Sequence, residues 1–123
     1  MKLNDFHVGD IAYQLSTYPE NEIREVKVVK IGRKYITTQT VGYYFERKFC
    51  LSTGKYGIEF LIENRDWGDK DLLFKSKEEI ALYLEAKSLK QYLLQLIRTT
   101  TFENLTLDQM RKIKDIMKGE EST

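Results

Sequence analysis

Between Glu22 and Lys55 the chain is a run of β-branched, aromatic and basic residues punctuated by Gly32, Gly42 and Gly54. Such side chains favour a pleated, half-buried surface, and glycines at this spacing supply the turns that reverse a strand. The segment therefore reads as three strands, Ile23–Ile31, Tyr35–Thr40 and Tyr43–Leu51. In the first, Val26 and Val28 lie on one face with Glu25 and Lys27 opposite. Past Val28 the alternation slips, because Val29 and Ile31 are apolar while Lys30 is not. A one-residue slip predicts a β-bulge, the device by which a small sheet bends.

A further strand, Ile11–Leu15, follows a turn at His7–Asp10, and Pro19 in Tyr18–Asn21 breaks the pattern after it. Ile58–Ile62 reads as a fifth strand, and Asn64–Asp71 as a polar loop holding the only tryptophan, Trp67. Beyond Leu72–Lys75 the apolar period lengthens from two to about three and a half residues, the helical spacing. Ser76 with Glu79, and Thr106 with Gln109, have the spacing of capping boxes, with Leu105 placed to staple onto Met110. After the first cap, Ile80 and Leu84 start one stripe, while Leu82, Ala86, Leu89, Leu93, Leu96 and Ile97 make another. That change of face predicts a kink, or two short helices, near Ala86–Ser88. Thr99–Thr101 ends the helical stretch, and Met110, Ile113, Ile116 and Met117 form one face of the last helix before Gly119.

The expected class is α+β: an antiparallel barrel of four to five strands over residues 1–75, then two to three helices over 76–118 and a frayed tail at 119–123. The helices are expected to pack on the barrel within one domain. Their leucines read as core; if the stripe is exposed, dimerisation through the helical tail follows.

At 123 residues with 41% hydrophobic content, the chain is long enough to bury a core without cross-links. Cys50 is its single cysteine, so no intrachain disulfide forms and a reducing compartment fits. The longest uninterrupted apolar run, Ile80–Leu84, is far too short to span a bilayer, and the first ten residues have no apolar core of a leader. The expectation is a cytoplasmic protein with no membrane partner.

Chemistry is sparse. One histidine and one cysteine cannot assemble a zinc site, and no glycine-rich phosphate loop occurs. Cys50 reads as a small buried hydrophobe and His7 as a solvated loop residue, so no catalytic residues, metal or cofactor are expected. The net charge of +1 hides an uneven distribution: residues 22–55 carry +5, and residues 56–75 carry −2. Two candidate surfaces follow. Arg24, Lys27, Lys30, Arg33, Lys34, Arg47 and Lys48, with Tyr35, Tyr43 and Tyr44, are of the type that tracks phosphates and stacks bases. The acidic set Glu59, Glu63, Asp66, Asp69 and Asp71 surrounds Trp67, with Tyr56 and Phe60 nearby, and aromatic residues of this kind anchor protein interfaces.

Val8–Asp10, Arg24–Thr37, Phe49–Gly54, Leu72–Ile80 and Leu105–Met117 together resemble a family of small SH3-like barrel proteins from phages and mobile elements of low-GC Gram-positive bacteria. The resemblance implies an SH3-like barrel with C-terminal helices and implies no activity. Phages devote many small non-enzymatic proteins to blocking host defences. The leading expectation is accordingly an inhibitor of anti-CRISPR type that binds a host protein or nucleoprotein complex through the acidic surface, as a monomer or homodimer. The alternative is an accessory protein that binds nucleic acid through the basic, tyrosine-rich face.

Overall fold

The computed structural model describes residues 2–17, 20–42 and 45–119. Expectations resting on Tyr18, Pro19, Tyr43, Tyr44 and residues 120–123 lie outside them. The chain divides into two units, Met1–Ser88 and Leu89–Thr123, with the boundary inside a helix.

The first unit is a closed antiparallel barrel of six strands: β1 (Ile11–Leu15), β2 (Ile23–Ile31), β3 (Ile36–Thr40), β4 (Glu46–Leu51), β5 (Leu61–Glu63) and β6 (Leu72–Phe74). Each strand pairs with its sequence neighbours, and β6 pairs back onto β1. Closure leaves no unpaired sheet edge to recruit other chains. The fold is α+β, as the change of period predicts, but with six strands in place of four to five. The additional strand, β6, is buried along its whole length, so it shows no alternation.

Residues directly opposite in an antiparallel pair point to the same face, and the register sorts the apolar residues into two clusters. Ala12, Val26, Val28, Ile36, Phe49, Leu61 and Leu73 fill the interior with Leu3 and Phe6. Leu3 belongs to a single 3-10 turn, Leu3–Asp5, whose Lys2 N–H donates to Asp5 Oδ2 at 2.8 Å. That hydrogen bond holds the Asp5 carboxyl below its ordinary value. On the opposite parity, Leu15, Leu72 and Phe74 turn outward and are covered by Phe60, Ile80 and Tyr83. Phe60, Phe74 and Tyr83 meet with ring centroids 5.4–5.6 Å apart. Burial pushes the Tyr83 phenol above its ordinary value, and Tyr56 adds to the effect.

The bulge falls where the pattern slips, with the β2–β3 register shifting between Val28 and Lys30. The lead-in to β1 clasps the same point, with Gly9 N–H donating to the Val28 carbonyl (2.8 Å) and Val28 N–H to the Asp10 carbonyl (2.9 Å). Strand β5 starts at Leu61 rather than Ile58. Lys55 and Ile58 exchange backbone hydrogen bonds of 3.1 and 2.8 Å around Tyr56 and Gly57, and this tight reversal consumes Ile58 before pairing with β4 can begin. Likewise β3 starts at Ile36, because Tyr35 gives its carbonyl to Gly32 N–H (2.8 Å) in the turn, and β4 starts at Glu46.

Helix α1 runs unbroken from Lys77 to Thr99, so the alternative of two short helices meeting near Ala86–Ser88 does not hold. A change of apolar stripe marks a change in what the helix faces, and no break in its hydrogen bonding is needed for that. Ser76 Oγ accepts from Glu79 N–H at 3.2 Å, one half of the expected capping box, while Glu79 Oε2 is buried and finds no hydrogen-bond partner among the described residues. The second unit contains the end of α1, a 3-10 turn at Phe102–Asn104 and α2 (Leu107–Lys118). Thr106 and Gln109 form a complete capping box, with N–H···O distances of 2.9 and 3.1 Å. Gly119 closes α2 in the left-handed region. No residue from 89 to 119 is buried.

Gly54 is the glycine the barrel can least replace. Its φ is +71°, and a Cβ would run into the Ile58 carbonyl oxygen of the tight reversal. Gly54→Ala is expected to destabilise the barrel by roughly 2 kcal/mol from left-handed strain and the displaced backbone, read as a lower urea midpoint with an unchanged slope.

Candidate functional site

The barrel sorts the basic residues into two groups. On the outward parity of β2, β3 and β4, Lys30, Thr37 and Lys48 stand in one cross-strand row, and Lys27, Gln39 and Glu46 in the next. Lys27, Lys30 and Lys48 are exposed, as are Arg33 and Lys34 in the turn between β2 and β3. Lys30 and Lys48 flank Thr37 across two strand spacings, about 10 Å. Lys48 Nζ lies 5.9 Å over the half-buried ring of Tyr35. None of these five cations makes an ion pair among the described residues. Glu46 and Glu25 are the exposed acids on the same strands.

Arg24 and Arg47 are different. Arg24 is held by Glu22, with N···O distances of 3.2 and 3.3 Å. Arg47 has inward parity, opposite the buried Thr38, and its guanidinium meets Glu63 at 2.9 Å and Asp71 at 3.5 Å. Of the expected basic set, then, Lys27, Lys30, Arg33, Lys34, Tyr35 and Lys48 share one surface. Arg24 is paired with Glu22 at the surface and Arg47 with the buried Glu63 and Asp71, and Tyr43 and Tyr44 lie outside the described residues.

The acidic set divides in the same way. Glu63 and Asp71 are buried, with side chains 7% and 6% exposed. Asp71 accepts hydrogen bonds from Gln14 Nε2 (2.6 Å), Thr17 N–H (3.1 Å) and Thr17 Oγ1 (3.2 Å). Glu63 accepts from Asp71 N–H (3.2 Å) and stands 3.6 Å from Arg65 Nη1. Arg65 also donates to the Asp69 carbonyl at 3.2 Å, so an arginine closes this loop from within. Among the described residues no cluster of three metal-ligating side chains occurs. Asp66, Asp69 and Glu59 remain exposed, and Trp67 stands 86% exposed at the loop tip. Tyr56 and Phe60 do not join it, since both pack towards Tyr83.

Gln14 and Thr17 were not singled out from the sequence, although Gln14 carried a signal. It is a polar residue at an inward position of an otherwise apolar strand, which marks a buried network. Its Oε1 is buried and finds no hydrogen-bond partner. Cys50 is half-buried on β4 beside Ile62, rather than fully buried. His7 is exposed, 3.7 Å from Asp10.

A cleft of about 630 Å³ lies beside the outer cluster of the first unit. Leu15, Phe60, Leu72 and Tyr83 form its apolar floor, and Lys55, Lys70, Lys87, Glu20 and Asp69 line it with both signs of charge.

These features define a small closed β-barrel with a helical extension, whose polar surface is organised by strand parity. The sequence profile of the phage ProQ C-terminal-like domain matches residues 1–122, and the chain belongs to that family. It is therefore a small phage-type domain. No curated protein and no solved structure matches it. Among the described residues no helix is long and apolar enough to cross a membrane.

Removing Arg47 leaves Glu63 and Asp71 side by side without their shared cation. Arg47→Ala is expected to cost about 3 kcal/mol, the lower end of the range for a broken buried ion pair, because Arg47 keeps 33% of its side chain in solvent. Chemical denaturation checks this. A loss below about 1 kcal/mol, the size of a surface pair, would show that the network contributes little.

Proposed function

We propose that the chain is a non-catalytic binding domain that takes the phosphate backbone of nucleic acid on the outward face of β2–β3–β4. The observation that carries this reading is the Lys30–Thr37–Lys48 row, with Lys27 beside it and Arg33 and Lys34 at its end. Strand pairing already orders the backbone beneath these cations, and among the described residues Lys27, Lys30 and Lys48 make no ion pair that binding would have to break. Backbone contact of this kind carries no sequence code and is strongly salt-dependent. The SH3-like character of the barrel belongs to the same reading and is supported by the bulged β2 that lets a small sheet close.

The test is fluorescence anisotropy with single- and double-stranded oligonucleotides over a salt series. Lys30→Glu with Lys48→Glu should weaken binding at least tenfold and lower the salt slope by roughly two. Absence of binding at about 50 mM salt, where phosphate contacts are strong, overturns the reading, as does a double variant that binds like the parent.

Trp67 supports a second reading, the anti-defence inhibitor that binds a host protein. A tryptophan that is 86% exposed beside Asp66 and Asp69 is of the residue type that dominates interface hot spots. The two exposed aspartates would then meet a basic channel of a nuclease complex. Under this reading, cells expressing the chain lose defence-nuclease activity and Trp67→Ala restores it. Full nuclease activity in the presence of the parent chain removes the second reading and leaves the first intact.

A further inference from the structure

The second unit carries abundant apolar surface and leaves much of it exposed. From Leu89 to Gly119 no residue is buried, yet Leu89, Leu93 and Leu96 on α1 are 45–50% exposed, and Met110, Ile113 and Met117 on α2 are 37–72% exposed. A twelve-residue helix is marginal in water without packing on an apolar face. Caps fix where α2 starts and stops, but they do not give it a core.

We infer that this unit is a dimerisation element and that a second copy of the same chain covers it. Spacing points to the occupant first. Leu89, Leu93 and Leu96 follow a four-three spacing, and Met110, Ile113 and Met117 follow a three-four spacing, the seam of helices that pack knobs into holes at a shallow angle. Two helix pairs carrying the same seam can close into a four-helix bundle.

Area points the same way. With Tyr92, Ile97 and Ile116, which are 43–76% exposed, nine large apolar side chains on each copy are open to burial. One side of a standard interface covers about 800 Å² from roughly 20–30 residues, and about two-thirds of it is apolar in homodimers. Nine exposed apolar residues fit the apolar centre of one copy's share of an isologous dimer. Charge does not oppose it. The six seam positions hold no ionisable group, and Lys112 is engaged by Asp108 at 3.3 Å.

The full chain is tested by light scattering and sedimentation over about 1–200 µM, since an oligomer's population depends on concentration. The expected mass is twice the 14.6 kDa of one chain. Leu93→Lys with Ile113→Lys should return it to one chain's mass. Leu94→Lys, on the same helix but off the seam, should leave the dimer intact. In the parent chain, amide protection across 89–118 should rise with concentration while that of β2–β4 does not, a readout independent of whether a variant folds. A parent that stays at 14.6 kDa throughout overturns the inference, and so does a larger assembly. A dimer that survives the double variant, or protection that ignores concentration, has the same consequence.

Discussion

Arg47 between Glu63 and Asp71 is the interaction on which the barrel's closure depends. The strands that shut it, β5 and β6, are three residues each, so few backbone hydrogen bonds join them to their neighbours. The side-chain network spans the same gap. Arg47 comes from β4 and Glu63 from β5, Asp71 precedes β6, and Gln14 and Thr17 belong to β1 and its exit. Four consecutive members of the ring are thus tied by charge-assisted bonds where the backbone ladder is thinnest. Burying two carboxylates is tolerable because arginines match them and hydrogen bonds satisfy their oxygens.

The network also determines what is left on the surface. With Arg47 and Phe49 inward, strand parity sends Lys48 outward. On β2 the bulge performs the complementary step. Strict alternation would put Lys30 on the same side as Val26 and Val28, in the core, and Ile31 in solvent. One extra residue after Val28 reverses both, so that Ile31 faces Ile36 in the interior and Lys30 joins Thr37 and Lys48 outside. The curvature that closes the barrel and the alignment of its cations thus have one cause. Insertion of a residue elsewhere in β2 would disturb both together.

How much of this was legible in the sequence follows the range of the forces involved. Strands β1 and β2 fall on the expected residues, Ile11–Leu15 and Ile23–Ile31, and the bulge falls where alternation slips, because alternation is set locally. The cap of α2 was legible for the same reason. Strand β6 was not: Leu72–Phe74 is buried on both faces, inside by Leu61 and Gln14 and outside by Phe60 and Tyr83, and a strand covered twice loses its period. The roles of Arg47, Glu63 and Asp71 were hidden too. In a one-dimensional reading, a charged residue on an edge of the pattern looks solvated, and only barrel closure brings residues 14, 47, 63 and 71 within 2.6–3.5 Å of their partners. The inward parity of Arg47, shared with Phe49, was the available clue.

A near-neutral chain could meet a polyanion only where its charge is locally concentrated, and under the proposed reading that place is the face of β2–β4. Of eight cations between Glu22 and Lys55, Arg24 and Arg47 are neutralised within the fold, and five of the others gather on β2–β4 and their turn. If that face meets phosphates as proposed, five cations would give modest affinity that falls steeply with salt. A dimer of the kind inferred above would change that arithmetic. With one face engaged, the second would meet the same strand at an effective concentration set by the tether, and overall affinity could rise by orders of magnitude without a new contact. The proposed face on a small barrel and an apolar seam on its helical extension would then be compatible parts of one binding strategy, the barrel supplying the contact and the helices the multiplicity.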